Sequence, residues 1–507
     1  MLQLRNLFFL IIFQILIGFT ALYAQGITDG PVTLEAESLQ YEENTGLIHA
    51  TGNILLSFLG YSVNAQEFQF SPDNQMLFLK DKIAIQKKDQ LLSSDSIKYN
   101  LDKNQAVATN IKLTLKNMHI NGQKMIITPE KIEILNADFT TCPQPQPHYL
   151  IKSREIQFYP KWGVFVAFDG ILYFYQVPVM YLPSYIYGSR QYAFGQESFS
   201  SPLPLIGKDE EQGWYIKENL GYFFDIHSSG TLDLGYIQRD GYYAGFNHYF
   251  SFNNQQDLNL KLYYVEKYVG AARISYNWRL PRQKKEKESV NLIDEFLFNF
   301  YNRDLPLSSF NFIVSYNDLN NNYRVSYLPL LSFEINKMTL PLNFNLTTDM
   351  NIGNIKENAT SLQFVRGNLN SRIAKEYQLH SIKIEPSLSY YGYWYKDMSK
   401  WERILGKINL SWELPLLNPG FSYTKIFFKD GASPFIFDTK DAIENNEIGF
   451  SLLSQPFSHE LSIDTHYNLD NKSYRDINFK VKINSDCYKV ILNYEFIEKE
   501  FRFGVEI

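Results

Sequence analysis

Two cysteines, eight histidines and a scatter of carboxylates are the residues with which this chain could do chemistry. Cys142 and Cys487 can form one disulfide or stand as two unrelated buried thiols, and counting alone leaves both open. The histidines show no metal-ligand spacing. His466 falls in strand phase with Ser462 and Asp464, so it reads as one residue of a polar strand face. A hydrolase would need a histidine paired with Ser, Asn or Asp in a recognisable setting, and no such motif is present. No glycine-rich phosphate loop occurs either. The expectation is a protein that is not an enzyme and carries no cofactor and no metal.

Chemistry being sparse, the framework that would hold these residues becomes the question. Arg5 precedes an apolar run from Leu7 to Phe19, and Ala21-Leu22-Tyr23-Ala24 offers a small residue for cleavage. That run is too short to span a bilayer as a helix, so residues 1–24 read as a signal peptide, against the competing reading of an N-terminal anchor. Export places both cysteines in an oxidising compartment, which favours one bridge. The 507 residues exceed what one ordinary core supports, so at least two structural units are expected. Hydrophobic residues are 45% of the chain, yet mean hydropathy is −0.27, so they are dispersed among polar ones. The 36 Tyr and 39 Phe suit strands. A net charge of −6 gives no support to nucleic-acid binding.

The first 160 residues repeat. Ala36-Glu37-Ser38-Leu39-Gln40-Tyr41 is echoed by Ala65-Gln66-Glu67-Phe68-Gln69-Phe70 and by Ser94-Asp95-Ser96-Ile97-Lys98-Tyr99, at steps of 29. Weaker copies begin at Gly122 and Ser153. Each copy ends in the alternation of a half-buried strand, and a second strand lies between copies, as in Leu47 to Leu56 and Gln105 to Leu115. A repeating two-strand unit buries its apolar face only against its neighbours, so the rungs stack. Two readings stay open: a filled structural stack, or a trough lined by Leu39, Phe68, Phe70, Ile97 and Tyr99 that shelters something greasy.

From about Trp214 the chain becomes a succession of alternating segments. Leu258, Leu260, Leu262 and Tyr264 interleave with Asn259, Lys261 and Tyr263, and Ile477, Phe479, Val481 and Ile483 with Asn478, Lys480 and Lys482. Many such segments in tandem behind an export signal predict apolar residues toward lipid and polar residues toward a wet lumen. A spanning sheet must close, because lipid cannot satisfy an open edge. About 16 to 20 strands of membrane-crossing length are expected. The fold class is therefore all-β.

Ala137-Asp138-Phe139-Thr140-Thr141-Cys142-Pro143 and Val177-Pro178-Val179-Met180-Tyr181-Leu182-Pro183-Ser184-Tyr185 stand between the two regions. Ser201-Pro202-Leu203-Pro204-Leu205-Ile206-Gly207, Gln212-Gly213-Trp214 and Asp486-Cys487-Tyr488 follow. In this order the motifs resemble the lipopolysaccharide-assembly family (LptD, also called the organic solvent tolerance or OstA-like family), of which this would be a short member. The signature residues carried over are Thr140, Thr141, Pro178, Tyr181 and Pro183.

The resemblance implies a periplasmic β-jellyroll over residues 25–190 and a transmembrane antiparallel barrel over 200–507, in the cell outer membrane. It implies a Cys142–Cys487 bridge at the periplasmic mouth. The family often has four cysteines, and two are missing here. It also implies lipopolysaccharide as cargo, an LptA-type periplasmic bridge protein, a candidate LptE-type lipoprotein plug and the barrel assembly machinery as partners. Some members carry prolines in the first two barrel strands to thin a lateral gate. This chain has Gly221 and Gly235 there, which either soften the seam or are ordinary barrel glycines.

The expected function is an outer-membrane translocon that inserts lipopolysaccharide, or a related glycolipid, into the outer leaflet. The alternatives are a diffusion pore with a periplasmic accessory domain, and a lipid-bridge protein without a barrel. A basic run, Arg279 to Lys287, is expected as a solvated loop on the outer side.

Overall fold

The computed structural model describes residues 33–188, 203–280 and 308–506, apart from 59–60, 88–89, 116–117, 210–211, 254, 321–322, 440–441, 444 and 457–458. The signal segment 1–24, Ser201-Pro202 and Arg282 to Lys287 lie outside the described residues. The described chain falls into two compact units, 33–188 and 203–506.

The first unit is a twelve-stranded antiparallel meander. Most strands run ten to twelve residues, such as Leu47–Phe58, Tyr61–Ser71 and Gln105–Leu115. Every second strand carries a left-handed residue near its middle: Asn53, Asp81 with Lys82, Asn110, Asn136 and Asp169. Asn and Asp tolerate that backbone better than other residues with a Cβ, and it bends the strand where the ladder register skips.

This corner explains the repeat. The second residue of four of the five copies binds the left-handed residue of the strand beside it. Asn53 donates to Glu37 at 2.5 Å, Asn110 to Asp95 at 2.7 Å and Asn136 to Gln123 at 2.8 Å. In the last copy Arg154 pairs with Asp169 at 2.9 Å. A polar clamp thus fixes the bend on the outside, while the alternating residues on the inside form the core. Phe68, Phe70, Leu79, Ile97, Tyr99, Phe139 and Phe158 are all buried there.

The second unit is a closed barrel. Nineteen strand segments follow one another, and the short Tyr377–Leu379 continues the line of Gln363–Ala374, giving eighteen antiparallel staves. The barrel closes where Leu205–Asp209 pairs with Glu500–Glu506. No helix among the described residues is long and apolar enough to cross a membrane, which says nothing of strands.

The barrel is apolar outside and polar inside. On Ser228–Ile237, Leu232 and Leu234 are 44% and 47% exposed, while Asp233 between them is 8% exposed and Thr231 is buried. Leu262, Tyr264, Ile274 and Trp278 face out, whereas Asp257, Asn259 and Ser275 are buried. A water-soluble sheet would place these sets the other way round, so this surface is built for lipid.

Stave direction alternates, so the ends can be assigned by counting. The sixth stave, Tyr268–Leu280, ends at the same barrel mouth as the Ser485–Tyr488 turn that carries Cys487. The basic run, expected as a solvated loop on the outer side, lies beyond Arg279 outside the described residues.

Candidate functional site

The signature residues lie at one end of the first unit. Thr140 ends the strand Ile132–Thr140, and its hydroxyl donates to the Tyr149 carbonyl at 2.7 Å and accepts the Cys142 amide at 3.1 Å. The Thr141 amide donates to the Tyr149 hydroxyl at 3.1 Å, and the two side-chain hydroxyls also bond. The His148 amide reaches the Cys142 sulfur at 3.5 Å. The two threonines therefore fix the backbone that presents Cys142. Cys142 and Cys487 are both buried, both disulfide-bonded, and neither is free.

Pro178, Tyr181 and Pro183 stand on Val177–Gly188, the last strand of the sheet. Prolines lack the ladder donor and are tolerated on such an edge. The Tyr181 hydroxyl donates to Asp169 at 2.8 Å, and that carboxylate pushes the exposed phenol pKa up. Tyr181, Asp169 and Arg154 thus form the outermost corner clamp.

Of the trough candidates, Phe68, Phe70, Ile97 and Tyr99 are packed as core, and burial raises the Tyr99 phenol pKa. Leu39 differs. It is 63% exposed on Ser38–Glu42, which pairs only with Leu47–Phe58 and leaves its other edge open among the described residues.

The closing seam is short. Among the described residues only Ile206↔Phe503, Gly207↔Arg502 and Lys208↔Phe501 pair across it, whereas the last strand makes seven pairs with Lys489–Glu495. Gly221 and Gly235 were expected in the gate strands, but they stand in the second and third staves. The true first strand, five residues before Gly213, carries too little alternation to be read from sequence. A Cβ on Gly235 would meet the Ile216 carbonyl oxygen at 2.4 Å, so close approach of the neighbouring strand requires a glycine there. The glycines of the seam strands themselves are Gly207 and Gly504.

The lumen holds a feature that the sequence did not announce. The described residues of 432–446, after the stave Leu417–Gly431, turn back into the barrel. Phe435 and Phe437 pack against Val325, Ile355, Tyr395 and Trp401 of the wall. Asp438 forms an ion pair with Arg366 and accepts from Ser433 at 2.8 Å and Tyr395 at 3.2 Å. The Phe437 amide donates to buried Glu357 at 3.0 Å, and Arg403 donates to the Ile443 carbonyl at 3.1 Å. His466 faces the lumen as its phase predicts and bonds Asp476 at 2.8 Å.

No family model matches the chain. It is 27% identical to the LPS-assembly protein LptD of Nitrosococcus oceani over 157 residues, 30% of this chain and 21% of that protein. Against LptD of Idiomarina loihiensis it is 23% identical over 165 residues, 32% of this chain and 22% of that one. For LptD of Nitrosomonas eutropha the figures are 21% over 202 residues, 39% and 26%. The chain is a distant relative of the LptD proteins. The matches span about a fifth to a quarter of the length of these relatives. Among solved structures, CdiB from Acinetobacter baumannii aligns at a TM-score of 0.28 with 6% identity, covering 60% of this chain and 58% of that one. The outer membrane channel DcaP of Acinetobacter baumannii aligns at 0.25 with 10% identity, covering 60% and 94%. The lipid-facing barrel and the LptD relatives together make this an outer-membrane β-barrel protein.

Proposed function

We propose that the chain is an outer-membrane translocon that receives lipopolysaccharide, or a related glycolipid, from a periplasmic bridge and inserts it into the outer leaflet. The likeness to LptD proteins carries this reading, and the barrel supports it. Acyl chains cannot cross water unsheltered, since each exposed methylene costs about 0.8 kcal/mol. The N-terminal unit, placed in the periplasm, would take them between its bent strands, with the open edge at Ser38–Glu42 available to an LptA-type bridge protein through strand addition. The polar lumen suits sugars, and the three-pair seam is where lipid would leave sideways.

In this reading a Cys142–Cys487 bridge holds the N-terminal unit to the periplasmic mouth. An LptE-type plug and the barrel assembly machinery remain the expected partners. The alternative, a diffusion pore with an accessory domain, draws on the same polar lumen. The anchored 432–446 segment speaks against free passage on its side of the lumen. Depletion separates the two. Loss of surface glycolipid with normal solute uptake is the expected result, and lost uptake with intact surface glycolipid would give the pore reading instead.

A further inference from the structure

Between the lumen wall and residues Phe437, Asp438, Ala442 and Ile443 lies a partly open cavity of about 340 Å³, toward the lower end of the range of ligand pockets, about 300–1,000 Å³. A second space of about 420 Å³ shares Asp349, Asn370 and Tyr391 with it, so the two run together along one wall. The chemistry of the first is specific. Asn351, Asn368 and Asn370 all turn their amide nitrogens onto one Asp349 oxygen, at 3.3, 3.2 and 2.9 Å. That fan fixes the amide orientation and leaves the carbonyl oxygens of Asn368 and Asn370 buried with no hydrogen-bond partner. The Nε–H of Arg366, beside them, is also buried and unmet.

Two buried acceptors and one buried donor on adjacent lumen-facing positions are costly unless something fills them. A hydroxyl both donates and accepts, so a cluster of hydroxyls satisfies all three at once. Charge argues the same way. Asp438 neutralises Arg366, and with Asp349 and Arg403 the lining holds two carboxylates against two guanidiniums, so its formal charge is zero and does not favour an anion. Tyr391 and Tyr393 add ring faces to the wall. Each lies near a guanidinium, Arg403 being 5.2 Å from the Tyr391 centroid and Arg366 5.2 Å from that of Tyr393.

We propose that this cavity is a saccharide-binding site, a stopping place for one neutral sugar unit of a glycan in the lumen. Asn368 and Asn370 accept from its hydroxyls, Arg366 donates to one, and the tyrosines hold its face. The choice of glycan rests on the glycolipid reading above, whereas the site itself rests on the cavity.

The test is calorimetric titration of the full chain in detergent micelles. The probe is lipid-free oligosaccharide released by mild acid from outer-membrane glycolipid, with maltohexaose as a neutral comparison and inorganic phosphate as the anionic one. Saturable sugar binding is expected, weakened about ten-fold or more when Asn368→Ala and Asn370→Ala remove the acceptors. Asn493→Ala, elsewhere in the lumen, leaves it unchanged. Should the double variant fail to show the mobility of a folded barrel on gels, Tyr391→Leu spares the Asp349 fan and is expected to weaken binding as well. Absence of saturable sugar binding, equal loss in Asn493→Ala, or binding of phosphate in preference would overturn the site. If sugar binds but depletion leaves surface glycolipid intact, the site stands and the translocon reading falls.

Discussion

Arg366, on the barrel wall, holds the carboxylate of Asp438, seventy-two residues away in the segment that folds into the lumen. Both side chains are nearly buried, so neither charge has water to fall back on. Removing one partner of such a pair leaves the other uncompensated, at a cost of about 3–5 kcal/mol. Asp438→Ala is therefore expected to free the segment and raise single-channel conductance in planar bilayers. Wild-type conductance in a folded Asp438→Ala barrel would mean that the two phenylalanines alone hold the segment in place.

The disulfide gives a simpler measurement. On non-reducing gels the mature chain is expected to migrate differently from the reduced chain, and Cys142→Ser should abolish the difference. Chain-entropy reasoning assigns the bridge about 2–4 kcal/mol, so the N-terminal unit of Cys142→Ser should unfold at lower denaturant. Identical mobility with and without reductant would remove the tether from the mechanism.

A lateral exit requires Leu205–Asp209 to part from Glu500–Glu506. Cysteines introduced at the paired positions Ile206 and Phe503 should lock the seam on oxidation and stop glycolipid reaching the surface. Restoration on reduction is expected. Unimpeded delivery through a fully cross-linked barrel would exclude this seam as the exit.

The trough can be probed from its core. Phe68 and Ile97 are buried, so a photo-reactive residue at either place meets lipid only if the bent strands separate around acyl chains. Adducts with lipopolysaccharide in living cells are the expected outcome. Adducts confined to Leu39, at the exposed edge, would restrict lipid contact to the edge and make the remainder a structural stack.

Gly235 provides a control on the gate. An alanine there drives its Cβ into the Ile216 carbonyl, an overpacking that costs about 1–3 kcal/mol. Lower thermal stability with unchanged delivery per folded barrel is expected. A delivery defect at full stability would return Gly235 to the exit mechanism.

Much of this architecture is legible in the sequence because side-chain alternation is local. Leu232, Asp233 and Leu234 declare their two faces wherever the strand is placed, and the 29-residue echo declares stacked hairpins. The repeat hid its reason, though. Glu37, Asp95, Gln123 and Arg154 read as strand polarity, and only the left-handed residues opposite them mark the corners.

By itself the sequence determined an all-β chain with two strand regimes and one available pair of thiols. Tertiary structure decided what depends on residues distant in the chain: which short strand closes the barrel against Phe503, how deeply Phe68 is buried, and where Phe435 to Asp438 come to rest. Periodicity records which way a side chain points from its own backbone. It carries no record of the partner on the far side of a closure, which is selected only when the whole ring of hydrogen bonds must be completed at once.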